Sequence, residues 1–263
     1  MKRFWCALAL GGYVLSAHAT VSPSVSVDIV SSDGTTFREI PVDTRDGSLR
    51  SYLQAEKGAR YAVRVRNTSG ARVGLVIAVD GRNIINGRKS ELARSEPMYV
   101  LDAWDTQSYA GWRASLDTIN EFYFTDWSDS YAEAFGDRSA RGVIAVAVYR
   151  EVPPAPVARP FRGEDELARA PHAPAAEASS ADAAGAAKAE RRANSAGTGY
   201  GERRVDRAVE VRFVAQQQAE SRQFIKYEWR ETLCRKRLLE CGEPNRFWDE
   251  SVLGFAPPPP RRR

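Results

Sequence analysis

The sequence has almost no histidine, and this scarcity excludes several catalytic classes. The chain of 263 residues contains two histidines, His18 and His172. His18 lies in an N-terminal stretch that we expect to be removed, and His172 lies in a stretch rich in Ala and Pro. A Ser-His-Asp or Cys-His arrangement therefore lacks a base held by a folded core, and a histidine-based zinc site lacks ligands. We predict no metal site and no cofactor.

Long hydrophobic runs are also scarce, apart from one near the N-terminus. Lys2 and Arg3 precede an apolar stretch that is followed by the small residues Ala17 and Ala19. This order predicts a secretory signal peptide over residues 1–19, with Thr20 as the first mature residue. No later stretch approaches the roughly 20 apolar residues of a membrane-spanning helix. We therefore predict a secreted or periplasmic protein with no transmembrane segment after cleavage.

The predicted mature chain has a small net charge. Removal of Lys2 and Arg3, and of no acidic residue, lowers the formal charge from +4 to +2. A nearly neutral protein has no global field that attracts nucleic acid, so we predict no nucleic-acid partner. The remaining charges are spread along the chain, and the C-terminal Arg261–263 run is interpreted as a solvated tail.

Alternating and continuous apolar stretches predict a β-sheet core. Residues 61–66 place Tyr61, Val63 and Val65 on one face, which is typical of a half-buried strand. Residues 73–79 are nearly all aliphatic and predict a strand covered on both faces. Residues 142–149 have the same character, and we predict that the two strands are neighbours. Asp80-Gly81 predicts a hairpin turn between residues 73–79 and a short returning strand.

Turn signals every 8–12 residues divide the rest of residues 20–151 into about eight to ten short strands. This pattern predicts a mainly β fold, an antiparallel β-sandwich or a small barrel. We expect a first hairpin that joins residues 25–30 to 35–42, and a short helix over 129–135. Further strands are predicted at 51–55, 99–101, 107–113 and 119–124.

The composition changes abruptly after residue 151. Residues 152–196 are rich in Ala, Pro, Glu and Arg, and they predict a disordered linker because they cannot bury enough apolar surface. Residues 197–255 then predict a hairpin, with strands at 205–214 and 224–230, and a short helix. A unit this small has little core of its own, so we expect it to dock on the sandwich. Residues 256–263 form a Pro/Arg tail.

Several segments together resemble a group of uncharacterised secreted or periplasmic proteobacterial proteins. The resemblance is carried by YAVRVRNTSGARVGLVIAVDGRNIING, YVLDAW, AGWRASLDTINEFYFTDWSDSYA, GVIAVAVYRE and GTGYGE. It covers roughly residues 50–151 and 197–230. It implies export and a β-rich domain with a separated C-terminal portion, and it implies no particular activity. The longer linker and the cysteines at the C-terminal end depart from the pattern.

Tryptophan and aspartate cluster in the region between residues 99 and 141. Trp104 and Trp127 could form a binding face for carbohydrate or peptide, with Asp102, Asp105 and Asp126 beside them. The same carboxylates could serve as the acid–base pair of a glycosidase, which needs two of them about 5–10 Å apart. They could also bind Ca²⁺, although EF-hand spacing is lacking. A structural interpretation, with loop carboxylates and core tryptophans, stays open for all five residues.

Two further motifs receive structural interpretations. Trp112 alternates with Tyr109 among polar neighbours, which indicates a core position. The glycine-rich residues 197–201 resemble a phosphate-binding loop only superficially, because no strand precedes them and no Lys-Ser/Thr follows. We interpret them as a flexible lead into a strand.

Cys234 and Cys241 are the two cysteines of the mature chain. In one continuous helix their Cα atoms would be about 10 Å apart, beyond the ~7 Å limit for a disulfide. We predict that the helix ends before Cys241, near Gly242 and Pro244, and that the two cysteines pair within one chain. The alternative is a straight helix with free or intermolecularly paired thiols.

The leading functional hypothesis from the sequence is a non-enzymatic protein. We expect an exported binding or envelope-associated structural protein, whose partner is an envelope protein or glycan. The alternative is a carboxylate-dependent hydrolase that acts on an envelope glycan.

Overall fold

The computed structural model describes residues 24–44, 46–153 and 195–241. The predicted signal peptide, most of the predicted linker and the Pro/Arg tail lie outside these residues. The described chain is mainly β, with a 3₁₀ turn at Trp127–Asp129 and two short helices, α1 (Tyr131–Ala134) and α2 (Arg230–Arg235). The strands are β1 (Val25–Ser31), β2 (Glu39–Val42), β3 (Leu49–Ala55), β4 (Arg60–Asn67), β5 (Val73–Val79), β6 (Arg82–Asn83), β7 (Tyr99–Leu101), β8 (Thr106–Tyr109), β9 (Gly111–Arg113), β10 (Thr118–Asp126), β11 (Val143–Arg150), β12 (Ala196–Thr198), β13 (Arg203–Val205) and β14 (Ser221–Trp229).

The strands form two sheets in a sandwich-like arrangement, which confirms the predicted fold class. The first sheet has the order β1-β4-β10-β12, with β8 on β4 and with β9 and β13 on β10. The second has the order β2-β3-β14-β11-β5-β6, with β7 on β5. All pairs are antiparallel except β3 and β14, which are parallel. Neither described helix is long and apolar enough to cross a membrane.

The core follows from the alternation of β4 and the continuous apolar character of β5. In β4 the inward side chains are the predicted ones, and Val63 and Val65 are fully buried. All seven residues of β5 are buried. Ile77 packs in the main core, while Val76 packs in a second cluster on the outer face of the sheet with residues such as Tyr149. β5 pairs with β11 along its whole length, as predicted.

The predicted first hairpin is wrong, although its two strands are present. β1 pairs with β4 in the first sheet, and β2 pairs with β3 in the second. Only one isolated bridge, Val30 to Thr36, joins the two segments. The turn at residues 31–34 therefore leads the chain from one sheet to the other. Val25, Val27 and Ile29 of β1 are buried in the main core.

The predicted C-terminal hairpin is also wrong. The short strands β12 and β13 pair with β10 in the first sheet. β14 lies between β3 and β11, in the middle of the second sheet. Residues 206–214, predicted as a strand, form no strand. Residues 195–241 therefore contribute to both sheets, which is more extensive than an added hairpin.

The C-terminal helix ends earlier than its composition suggests. α2 stops at Arg235, and Arg237 adopts a positive φ of 57° that turns the chain. Cys234 and Cys241 lie at disulfide distance, with their Cα atoms 5.6 Å apart. The expected end of the helix before Cys241 is confirmed. The predicted short helix over 129–135 is confirmed as the 3₁₀ turn followed by α1.

Candidate functional site: a groove between two edge strands

A groove of about 770 Å³ lies where the two sheets part. One wall is β8, which among the described strands pairs only with β4, and another is β7, which pairs only with β5. The third wall is residues 206–215, which we call the outer segment. Apolar, aromatic and charged residues line the groove. They include the apolar Met98, Leu116, Val209 and Phe213, the aromatic Tyr99 and Tyr109, and the charged Arg72, Arg94, Arg113, Asp102, Asp105, Asp206 and Glu210.

The aromatic part of the groove is held rigidly. The rings of Tyr99 and Tyr109 are 4.3 Å apart, and the Arg113 guanidinium lies 5.6 Å from the centre of the Tyr99 ring. Arg113 Nε donates to the Tyr99 hydroxyl at 2.9 Å. Burial raises the pKa of both tyrosines, so both stay neutral at physiological pH. The wall of the groove therefore contains flat, uncharged rings beside a fixed cation, and both Tyr109 and Arg113 are largely buried within it.

The same arginine anchors one end of the outer segment. Arg113 Nη1 donates to the main-chain oxygen of Asp206 at 2.7 Å, and Nη2 forms an ion pair with the Asp206 carboxylate. The Arg113 side chain is 9% exposed, so this pair is partly shielded from solvent. A two-point contact of this kind fixes the direction of the segment as well as its position.

The other end of the outer segment rests on β5. Arg72 donates to the main-chain oxygen of Arg212 at 3.2 Å and pairs with Glu151. Phe213 covers Gly74, where an added Cβ would lie 2.6 Å from the Phe213 ring. Glycine at this position of β5 therefore allows the outer segment to approach the sheet.

Two of the five residues predicted as ligand-binding candidates line the groove. Asp102 and Asp105 both lie in the loop between β7 and β8. The Asp105 carboxylate accepts hydrogen bonds from the Thr106 N–H at 2.7 Å and from Gln107 Nε2 at 3.0 Å. Trp104 lies in the same loop with a positive φ of 64°, is 69% exposed, and does not line the groove.

The other two candidates lie at the end of β10. Asp126 forms an ion pair with Lys57. Trp127 is 1% exposed, and its Nε1 donates to Glu133 at 2.6 Å. The Arg141 guanidinium lies 5.1 Å from the Trp127 ring. Trp127 is therefore a core residue, and its ring has no exposed surface for a ligand.

The two groups of candidates lie at opposite ends of β4. The Asn67 N–H bonds to the Asp105 main-chain oxygen at one end, and the Gly58 N–H bonds to Phe124, two residues before Asp126, at the other. A strand of eight residues spans about 23 Å at ~3.3 Å per residue. Asp126 is therefore too far from Asp102 and Asp105 to form the acid–base pair of a glycosidase with either one.

A buried polar network that the sequence did not predict lies outside the groove. Asp80 is fully buried and accepts hydrogen bonds from Gly142 N–H at 2.7 Å, Thr198 N–H at 2.8 Å and the Tyr227 hydroxyl at 2.7 Å. The Thr198 hydroxyl also bonds to Tyr61 and Tyr227, both at 2.7 Å. The network joins the two sheets. The sequence did not indicate this network because Asp80 lies in an Asp-Gly turn, and such turns are usually exposed.

Burial raises the pKa of Asp80 from 3.8 to about 6, although its three hydrogen bonds and the nearby Lys226 favour the charged form. Burial likewise raises the pKa of Tyr61 and Tyr227. The donors to Asp80 come from residues on both sides of the gap in the described chain. We interpret the network as a structural connection between them.

The glycine-rich residues 197–201 are tightly packed, so the prediction of a flexible lead into a strand is wrong. An added Cβ would lie 2.6 Å from Ser130 at Gly197, 2.2 Å from the Tyr123 ring at Gly199, and 2.6 Å from the Glu121 main-chain oxygen at Gly201. The glycines allow the chain to run close against β10. The main-chain oxygen of Gly199 accepts a hydrogen bond from Trp112 Nε1 at 3.0 Å, and Trp112 is buried as predicted.

Comparison with known families, curated proteins and solved structures adds nothing to this geometry. No family model, curated protein or solved structure matches the chain. Among the described residues, no three His, Cys, Asp or Glu side chains come together as a metal site. The groove can therefore be interpreted only from its own chemistry, which is that of a partly apolar cleft with a charged rim.

Proposed function

We propose that this chain is an exported, non-enzymatic binding or envelope-associated structural protein, and that the groove binds its partner. The groove itself carries the proposal, because it is a concave surface with aromatic residues and several arginines at its wall. Support for export comes from the sequence of residues 1–19 and from the cysteine pair at disulfide distance, since disulfides persist in oxidising compartments.

The partner that we propose is an envelope protein or an envelope glycan. Tyr99 offers a flat aromatic ring, and the valines of the outer segment offer an apolar wall. Gln107 and Ser108 of the edge strand β8 add polar groups beside them. Both partner classes present apolar and hydrogen-bonding groups side by side, which is the combination that these walls complement.

Several carboxylates of the groove already have protein partners, which favours binding over catalysis. Burial acts to raise the pKa of Glu96, but hydrogen bonds from Ala93, Ser90, Asn83 and Glu91 together lower it. Asp206 is held by Arg113. A glycosidase acid needs a raised pKa. Among the described residues, burial raises carboxyl pKa values at two positions outside the groove, Glu39 and Asp80.

Photo-crosslinking from the groove tests the proposal. Leu116 lines the groove and is 50% exposed. Leu49, which is 44% exposed, lies on β3, three strands away from β5 in the second sheet, and serves as the matched control. A photoreactive residue at 116, in the full chain expressed in its own cells, should give a discrete adduct in the exported fraction. Equal labelling from position 49, or no adduct from position 116, would contradict the proposal.

The alternative function, a carboxylate-dependent hydrolase of an envelope glycan, now depends on Asp102 and Asp105, because these two candidates line the groove. The assay is release of reducing ends from purified peptidoglycan, with the Asp102→Asn/Asp105→Asn double variant as the comparison. Binding without catalysis predicts equal background release from both proteins. Release by the natural chain that the double variant abolishes would favour the hydrolase.

A further inference from the structure

From residue 206 to residue 214, the main chain of the outer segment is held to the rest of the protein along one edge, and the contact from Arg94 to the main-chain oxygen of Ala215, at 3.4 Å, lies beyond this stretch. Its even-numbered residues make these contacts through their main chains. The Asp206 and Ala208 N–H groups donate to the main-chain oxygens of Asp117 and Leu116, at 2.9 and 2.7 Å. The main-chain oxygens of Arg212 and Val214 accept from Arg72 and from the Val152 N–H, at 3.2 and 2.7 Å. In an extended chain the main-chain groups of successive residues point to opposite sides.

The odd-numbered residues therefore present their main chains to the opposite edge. Among the described residues, the N–H groups of Arg207, Val209, Val211 and Phe213 have no acceptor. The side chains of Val205, Val209 and Val211 are 73%, 82% and 51% exposed. An extended edge rich in β-branched residues with unpaired N–H groups is a ready template for another strand.

We infer that this edge pairs, antiparallel and about a two-fold axis, with the same edge of a second copy of the chain. The partner is argued from the charges along the segment, because some registers place opposite charges against each other. Since odd residues must face odd residues to exchange hydrogen bonds, only some registers are allowed. With the axis at Val209, Val205 faces Phe213 and Arg207 faces Val211. All five residues whose main chains point to the outward edge are then paired, namely Val205, Arg207, Val209, Val211 and Phe213.

Charge, together with the number of paired residues, favours this register. With the axis at Val209, Asp206 lies opposite Arg212 on both sides of the axis, and opposite charges across a strand pair are favourable. Moving the axis to Ala208 would place Asp206 opposite Glu210, and moving it to Glu210 would place two glutamates together. An axis at Val211 would also place opposite charges together, Glu210 against Arg212, but of the outward residues it would pair only Val209, Val211 and Phe213. Val209 and Val211 also line the groove, so the dimer would cover part of the groove wall.

Cysteine scanning of the full chain tests the pairing and its register. In the Val209 register, Val209→Cys faces its own copy across the axis and should form an intermolecular disulfide under mild oxidation. The two copies of Val211→Cys would lie four residues apart along the strands, so this matched variant should not crosslink. Both valines are exposed, and neither change should disturb folding. Crosslinking of Val211→Cys at the same rate as Val209→Cys would overturn the register.

Sedimentation equilibrium of the natural chain tests whether the dimer exists. We expect a concentration-dependent doubling of mass that persists under reducing conditions, which separates it from dimers linked through Cys234 or Cys241. Arg212→Glu should raise the dissociation constant at least about tenfold, because it opposes Asp206. Glu210→Arg, which faces Ala208, should leave it nearly unchanged. A monomer at every concentration up to about 0.1 mM would overturn the inference.

Discussion

At the scale of single residues, the most informative position is Asp80. The Asp-Gly pair does form the predicted turn, with φ values of 51° and 84° for Asp80 and Gly81. The same aspartate is also fully buried and bonded to groups on both sides of the gap in the described chain. A residue selected for a turn by its backbone preference thus also connects the two parts of the protein.

The first prediction concerns the pH dependence that Asp80 imposes. Its pKa is raised in the folded state, so its contribution to stability is fully present below the unfolded value of 3.8 and is lost as the pH rises through about 6. Lowering the pH from 8 to 5 should therefore stabilise the natural chain, relative to Asp80→Asn, by roughly 1 kcal/mol. Urea unfolding of both proteins at each pH measures this difference.

The nearby Lys226 favours the ionised carboxylate and works against this trend. Lys226→Met, measured in parallel, should therefore enlarge the gain at low pH. A constant difference between the natural chain and Asp80→Asn across the pH range would show that Asp80 is not an abnormal acid.

At the scale of strands, the sequence predicted most of the elements but not all of their partners. The sequence predicted β4 from its periodicity, and it predicted β5 and β11 from their apolar runs. Their burial was predicted as well, because the pattern of side chains indicates which faces of a strand are covered. The pattern does not report which sheet a strand joins. A strand with a two-residue alternation has the same sequence pattern in either sheet. The pattern therefore could not show that β1 joins the first sheet and β2 the second, and the predicted hairpin between them was wrong.

For the outer segment, the predicted element itself was wrong, because a strand was expected there and residues 206–214 form none. Its valines have strand propensity, and the chain has no turn or bend at residues 206–214, but no described strand lies beside its outward edge. The site could be predicted only in part for a similar reason. Asp102 and Asp105 were among the candidates, whereas the outer segment comes from beyond the predicted linker, and sequence spacing alone gave no indication that it lies against β7 and β8.

The second prediction tests the central position of β5. Ile77 is 1% exposed in the main core, so Ile77→Asp should lose about 4 kcal/mol or more and fail to fold, because an unpaired charge would be buried. Leu49→Asp, at an exposed position of β3, should change stability by less than about 1 kcal/mol. Circular dichroism during thermal unfolding compares the two. A folded, cooperative Ile77→Asp protein would show that the strand is not central.

The third prediction concerns the two cysteines that follow β14. Their Cα separation of 5.6 Å suits a disulfide, and we expect the bridge to form within one chain. Closing so short a loop should stabilise the protein by ~2 kcal/mol through the unfolded state. Mass spectrometry of non-reduced, alkylated protein from its own compartment reports the pairing. Two alkylated cysteines, or a peptide linked across two chains, would disprove it.

At the scale of the whole molecule, residues 195–241 complete what residues 24–153 begin. β14 lies between β3 and β11, so without it the second sheet would divide into two parts. β12 and the Asp80 network attach the same stretch to the first sheet. The outer segment then forms one wall of the groove on which the proposed function depends. The central claim is therefore that the two stretches are one folded unit.

Cleavage between the two stretches tests this claim most directly. A specific protease site introduced within residues 160–190 of the full chain would allow a single cut after folding, under non-reducing conditions. Cut and uncut proteins are then compared on a native sizing column and by thermal unfolding. We predict that the two fragments elute together, at the position of the uncut protein, and unfold in one cooperative transition. Separation of the fragments under native conditions, with residues 24–153 still folded, would contradict the account.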